Sequence, residues 1–183
     1  FLDTKWTVGG DIFLNKDNRS TSYKLERKGF DVRVGYPIVE YGRLFTTYKF
    51  VDTSLQEPPQ DSRIDEDLET GVASTIETSF VYDRRNNKFE PSGGHYESFT
   101  VYYTGLGGEK KWFGLSTDIR YYNNLYGDLV LRSRINSKKL FRVNSQSIPR
   151  SEKLFLGGSR NLRGYTYEGI GPKSKGYITD TEG

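Results

Sequence analysis

Side chains that could carry covalent or metal chemistry are scarce in this 183-residue sequence, which has no cysteine and one histidine, His95. That excludes a thiolate nucleophile, a disulfide framework, sulfur-bound zinc and any site built on two imidazoles. His95 follows Gly93 and Gly94 at a turn, a place that suits an interfacial ring better than a general base. No Walker loop, G-x-G-x-x-G, G-x-S-x-G or H-E-x-x-H occurs. Asp61, Asp65, Glu66, Asp67 and Glu69 share one stretch without the spacing of a calcium loop, and read as a solvated acidic loop. No catalytic group, metal site or cofactor is expected. Lysine and arginine total 27 against 24 acids, a formal charge of +3 that calls for no nucleic acid partner.

Two segments are chemically distinctive. The first, Asp83 to Gly94, mixes Asp83, Arg85, Asn87, Phe89, Pro91 and Gly94 in a connection longer than a simple hairpin. Pro91 and the glycines fix a bend, while Asp83 and Arg85 can bond turn amides and carbonyls. The second runs from Leu154 to Tyr165, with Gly157, Gly158, Leu162, Arg163, Gly164 and Tyr165, followed by Gly169-Ile170-Gly171-Pro172. So many glycines around one Leu-Arg-Gly-Tyr core fit either a compact loop that aims a guanidinium or a flexible loop with a solvated arginine.

The elements that position these segments are strands. Apolar side chains recur at every second residue: Trp6, Val8, Ile12 and Leu14; Leu44, Tyr48 and Phe50; Val72, Ile76, Phe80 and Tyr82; Phe99, Val101 and Tyr103; Phe113, Leu115, Ile119 and Tyr121; Leu129, Leu131 and Ile135. Between Ser22 and Tyr36 the phase changes, which predicts a bulge at Lys28 and Gly29. About seven strands result, most near the 9 to 11 residues of a tilted membrane-crossing strand. Tight turns at 36–42, 83–94 and 123–128 alternate with polar loops at 15–20, 52–69 and 105–110. Tyr36, Tyr41, Tyr82, Phe89, Tyr96, Tyr121, Tyr122 and Tyr126 flank the tight turns and predict an interfacial aromatic girdle. A mean hydropathy of -0.72 and the lack of a long apolar run exclude a membrane helix. Lys49, Glu77, Asp118, Arg120, Arg132 and Arg134 fall mid-strand on the opposite face, where a wet lumen would hydrate them. Alternation alone also fits a soluble antiparallel sandwich.

Asp83-x-Arg85-x-Asn87-x-Phe89-x-Pro91-x-x-Gly94 resembles the periplasmic turn motif of the BamA family of outer-membrane barrel assembly factors. Gly157-Gly158 through Leu162-Arg163-Gly164-Tyr165 resembles the Arg-Gly-Phe/Tyr loop of the wider superfamily, which also holds TamA and two-partner-secretion transporters. Gly35-Tyr36-Pro37 with Tyr41-Gly42-Arg43 is similar to a further BamA turn, so the resemblance spans nearly the whole chain. It implies an all-β, antiparallel transmembrane β-barrel of roughly 16 strands, of which this chain is an internal part, preceded by POTRA domains. Strands to about residue 136 and a long extracellular loop over 137–183, folding back into the lumen, are the implied division of one barrel domain. Arg163 would pair with acids beyond Gly183. The implied function is insertion of β-barrel proteins into the bacterial outer membrane, with no enzyme activity. The implied partners are nascent outer-membrane β-barrel proteins, accessory assembly lipoproteins, membrane lipids and lipopolysaccharide. A secretion pore of the same superfamily is the alternative, followed by a passive porin or a barrel hydrolase.

Overall fold

The computed structural model describes residues 5–20, 23–57, 69–144, 146–149, 152–154, 156–159, 162–166, 170, 173–174 and 177–178. Two-residue periodicity becomes seven antiparallel strands: β1 (Thr7–Ser20), β2 (Tyr23–Val39), β3 (Gly42–Glu57), β4 (Gly71–Asp83), β5 (Gly94–Gly108), β6 (Trp112–Tyr126) and β7 (Leu129–Arg142). Each pairs only with its neighbours in sequence, so the sheet is a meander with β1 and β7 at its margins, not closed on itself within this chain. A short ribbon of β8 (Lys173–Ser174) and β9 (Tyr177–Ile178) lies apart from it in the pairing scheme.

Among the described residues nothing seals the apolar stripe. Ile12 is 92% exposed and Ile135 65%, and Val8, Phe30, Val32, Ile76, Phe99, Val101 and Leu115 are exposed as well. Among the described residues only Leu25, Trp112, Leu140 and Ile148 are buried large hydrophobics. A sandwich would seal this stripe against a second sheet; an outer barrel wall presents it to acyl chains. Cross-strand register keeps the stripe on one face throughout: Ile76 pairs with Tyr48 and Tyr103, Phe99 with Phe80, and Ile119 with Ile135.

Three expectations are corrected. No bulge forms at Lys28 and Gly29, because the register of β2 runs unbroken from Leu25 to Gly35 against β1 and from Leu25 to Pro37 against β3. The phase change has another cause. Outside the apolar belt the outer face meets water, so it carries Lys28 paired with Asp52 at 3.2 Å and Lys16 with Glu26 at 3.6 Å, while Leu25 turns inward and is buried. The strands are also longer than 9 to 11 residues, at 13 to 17, because the stretches expected as loops at 15–20, 52–57 and 105–108 continue the ladders. Finally, Tyr96 and Tyr122 leave the girdle. They stand beside Arg120 and Arg132 on the inner face, one residue out of phase with the outer ring. That ring contains Trp6 against Tyr36 at 4.7 Å, Tyr41 against Tyr82 at 6.5 Å and Tyr82 stacked on His95 at 5.6 Å.

Candidate functional site

The inner face curls around a cavity of about 620 Å³, lined from Phe13 and Asn15 on β1 to Lys138 on β7. Charged and hydroxyl-bearing side chains make up most of its lining, and Phe13, Val51, Tyr102 and Trp112 line it as well. Thr75 and Thr104 share a 2.7 Å hydrogen bond across β4 and β5, and Ser79 and Thr100 one of 2.8 Å. Tyr102 lays its ring across Gly114, where a Cβ would come within 2.1 Å of the ring. Glu69, expected in a solvated acidic loop, is 3% exposed and lines the cavity together with the buried Lys110. The rest of that acidic group, residues 61, 65, 66 and 67, lies outside the described residues.

After β7 the chain returns onto this inner face. Ile148 is buried with Trp112 and Leu140, and Leu154, Ala73 and Tyr102 pack against that cluster. Gln146 donates through Nε2 to the carbonyl of Glu109 at 2.7 Å. Glu152 meets Arg27 of β2 at 3.2 Å, and Pro149 and Glu152 line the cavity. Burying Ile148 is worth about 2 kcal/mol, enough to seat a segment whose own backbone makes few ladders. Arg27 Nε and the Tyr102 hydroxyl are buried without a partner among the described residues.

The turn after β4 is closed by its own side chains. Arg85 forks onto Asp83, Nε to Oδ1 and Nη2 to Oδ2, both at 2.8 Å, and its Nη1 donates to the carbonyl of Lys88 at 3.3 Å. That hydrogen-bonded pairing raises the Arg85 guanidinium further above its ordinary pKa, so it stays charged. Asn87 Oδ1 accepts from the amides of Phe89 at 2.9 Å and Glu90 at 3.3 Å, an Asx turn. Gly94 has φ +95°, and a Cβ there would lie 2.1 Å from the carbonyl oxygen of Arg84. Pro91 is buried, whereas Phe89 is 95% exposed at the tip.

The glycine-rich segment near 160 closes on itself. The amide of Gly158 donates to the carbonyl of Tyr165 at 3.0 Å and that of Ile170 to Leu156 at 3.1 Å. Gly157, Gly158 and Gly164 all have positive φ. Leu162, Arg163 and Tyr165 are exposed, and Arg163 has no ion pair among the described residues. Residues 160–161, 167–169 and 171–172 lie outside them. The two motifs therefore occupy separate places, each ordered by its own hydrogen bonds.

Sequence reading missed four participants. Asn86 bonds Ser92 Oγ at 2.7 Å and accepts from the amides of Ser92 and Gly93. Arg27 and Glu152 form the tie described above. Tyr96, taken for a girdle residue, lies under both Arg85 and Arg120, each guanidinium 5.0 Å from its ring centre. The parity of position 96 was the available signal.

The Omp85 superfamily domain matches residues 1–181. The chain belongs to the Omp85 superfamily. The outer membrane protein assembly factor BamA of Nitratidesulfovibrio vulgaris is 21% identical over 93% of this chain and 22% of its own length. That of Neorickettsia risticii is 24% identical over 94% of the chain and 24% of its length. A SAM50-like protein of Drosophila melanogaster is 30% identical over 55% of the chain. The crystal structure of Haemophilus ducreyi BamA lacking POTRA domains 1-3 superposes with a TM-score of 0.77 at 17% identity, over 91% of this chain and 36% of that one. This Omp85 chain thus has the fold of part of a BamA barrel and spans under a quarter of the length of the curated BamA proteins it matches.

Proposed function

We propose that this Omp85 chain forms part of a bacterial outer-membrane barrel that inserts other β-barrel proteins, without covalent chemistry and without enzyme activity. The observation that carries this reading is the extent of the likeness: the superfamily domain covers 1–181, and the curated bacterial relatives over that stretch are outer-membrane assembly factors. An exposed apolar outer face supports the membrane location. The turn carrying Asp83, Arg85, Asn87, Phe89, Pro91 and Gly94 is then on the periplasmic side. The stretch after β7, which ends at Arg142 and not near residue 136, is the extracellular loop that folds back into the lumen, a reading supported by the packing of Ile148 and the tie from Glu152 to Arg27. Gly157, Gly158, Leu162, Arg163, Gly164 and Tyr165 present a guanidinium to carboxylates elsewhere on the barrel wall. The partners are nascent β-barrel proteins, with accessory lipoproteins, membrane lipids and lipopolysaccharide around the barrel.

Depletion of the full-length protein should lower the amount of folded outer-membrane barrels, and wild-type protein should restore it. Arg163→Ala should restore it poorly while its own barrel remains folded, a loss equivalent to about 1 to 3 kcal/mol for one charge-assisted contact. Unchanged levels of folded client barrels on depletion would overturn the assembly reading. Full rescue by Arg163→Ala would remove the loop arginine from it.

A further inference from the structure

On the inner face at the short-turn rim lies a second hollow, of about 370 Å³, lined by Arg85, Lys88, Phe89, Arg120, Arg132 and Arg134 among others. Five cations meet here, and the carboxylates bonded to them are Asp83 and Asp118, which leaves a net charge of +3. Asp118 receives two forks, from Arg120 at 3.1 and 2.6 Å and from Arg134 at 3.0 and 2.9 Å. Arg85 and Arg120 are further steadied over the Tyr96 ring. Arg132 has no ion pair or hydrogen bond among the described residues. The guanidiniums of Arg85, Arg120 and Arg134 are held in place before any ligand arrives, which lowers the ordering cost of binding, and Arg132 is left to pair with the ligand.

We propose that this basin docks an acidic polypeptide segment on the short-turn side of the barrel. A membrane headgroup is disfavoured because the basin faces away from Ile119, Tyr121 and Ile135, the lipid-side residues at the same depth. A single small anion would leave most of the volume empty. At the edge, Phe89 offers an aromatic surface that is 95% exposed, and the buried Pro91 lines the hollow beside it. The fitting partner therefore carries several carboxylates and one apolar side chain, read by charge and by contact. This goes beyond the assembly reading, and its test does not measure assembly.

The experiment uses the full-length protein in detergent micelles and a fluorescent peptide of alternating glutamates around one phenylalanine, with a glutamine-for-glutamate peptide as control. The glutamate peptide should bind, and its affinity should fall as salt rises. Arg132→Gln, which breaks no ion pair among the described residues, should weaken it several-fold, and Arg132→Glu combined with Arg134→Glu by about tenfold or more. Phe89→Ala should weaken it without changing the salt dependence. Equal binding of the two peptides, or wild-type affinity in Arg132→Gln, overturns the proposal. So does loss of binding on adding inorganic phosphate at a few millimolar when uncharged osmolyte at equal strength has no effect and Phe89→Ala binds as wild type, since that pattern marks a simple anion site.

Discussion

Arg85 closes its turn from three directions, through the fork onto Asp83, the bond to the Lys88 carbonyl and the Tyr96 ring. Replacing it with alanine leaves a mostly buried carboxylate without its counter-ion. Arg85→Ala should destabilise the turn by about 2 kcal/mol, read as faster hydrogen exchange at amides 84–93, and Arg85→Lys should recover only part of that because an ammonium cannot fork. Asp83 and Arg85 were legible beforehand as residues that bond the turn, though not as partners of one another. Asn86 was not. Two adjacent asparagines carry the same chemistry, and only the folded turn decides that Asn87 caps the tip while Asn86 spans to Ser92 and Gly93.

Among the elements, β2 shows best what alternation can and cannot tell. Its parity marks the strand correctly, yet the apparent slip at Lys28 is a change of surroundings along one straight ladder. Period-two patterns report which face is apolar, and that assignment inverts where an outer wall leaves the lipid and an inner wall gains a covering segment. The covering segment was implied by the family resemblance alone and is illegible in the periodicity, because Ile148 and Leu154 sit in an aperiodic stretch and find their partners across the cavity. Glu152→Arg should free residues 146–154, raising their protease sensitivity in the folded barrel by the equivalent of about 2 kcal/mol. The exchange Arg27→Glu with Glu152→Arg should restore most of the protection. If the single change leaves cleavage at the wild-type rate, the tie contributes nothing to seating the segment. Arg163→Ala should leave this protection intact, since the seat and the glycine-rich hairpin share no described bond.

At the level of the molecule, the exposed apolar stripe makes stability depend on what surrounds the sheet. Ile76 lies mid-strand on the outer face between Tyr48 and Tyr103. Ile76→Arg in the full-length barrel should cost about 2 to 4 kcal/mol in lipid, measured by the urea midpoint in vesicles, whereas Glu77→Gln on the inner face should change it little. An equal effect from both would invert the assignment of inside and outside. The strands also outrun the lipid. Seventeen residues in β2, at about 3.3 Å each and tilted by about 40°, rise roughly 40 Å, against an apolar band about 25 Å tall. The excess falls where Lys16, Glu26, Lys28, Asp52 and Gln56 pair across β1 to β3. With the turn at 83–94 on the periplasmic side, as proposed, an antibody, protease or phage arriving from outside would strike a stiff hydrogen-bonded parapet well above the headgroups, and any epitope raised there would report on strand pairing and not on loop conformation.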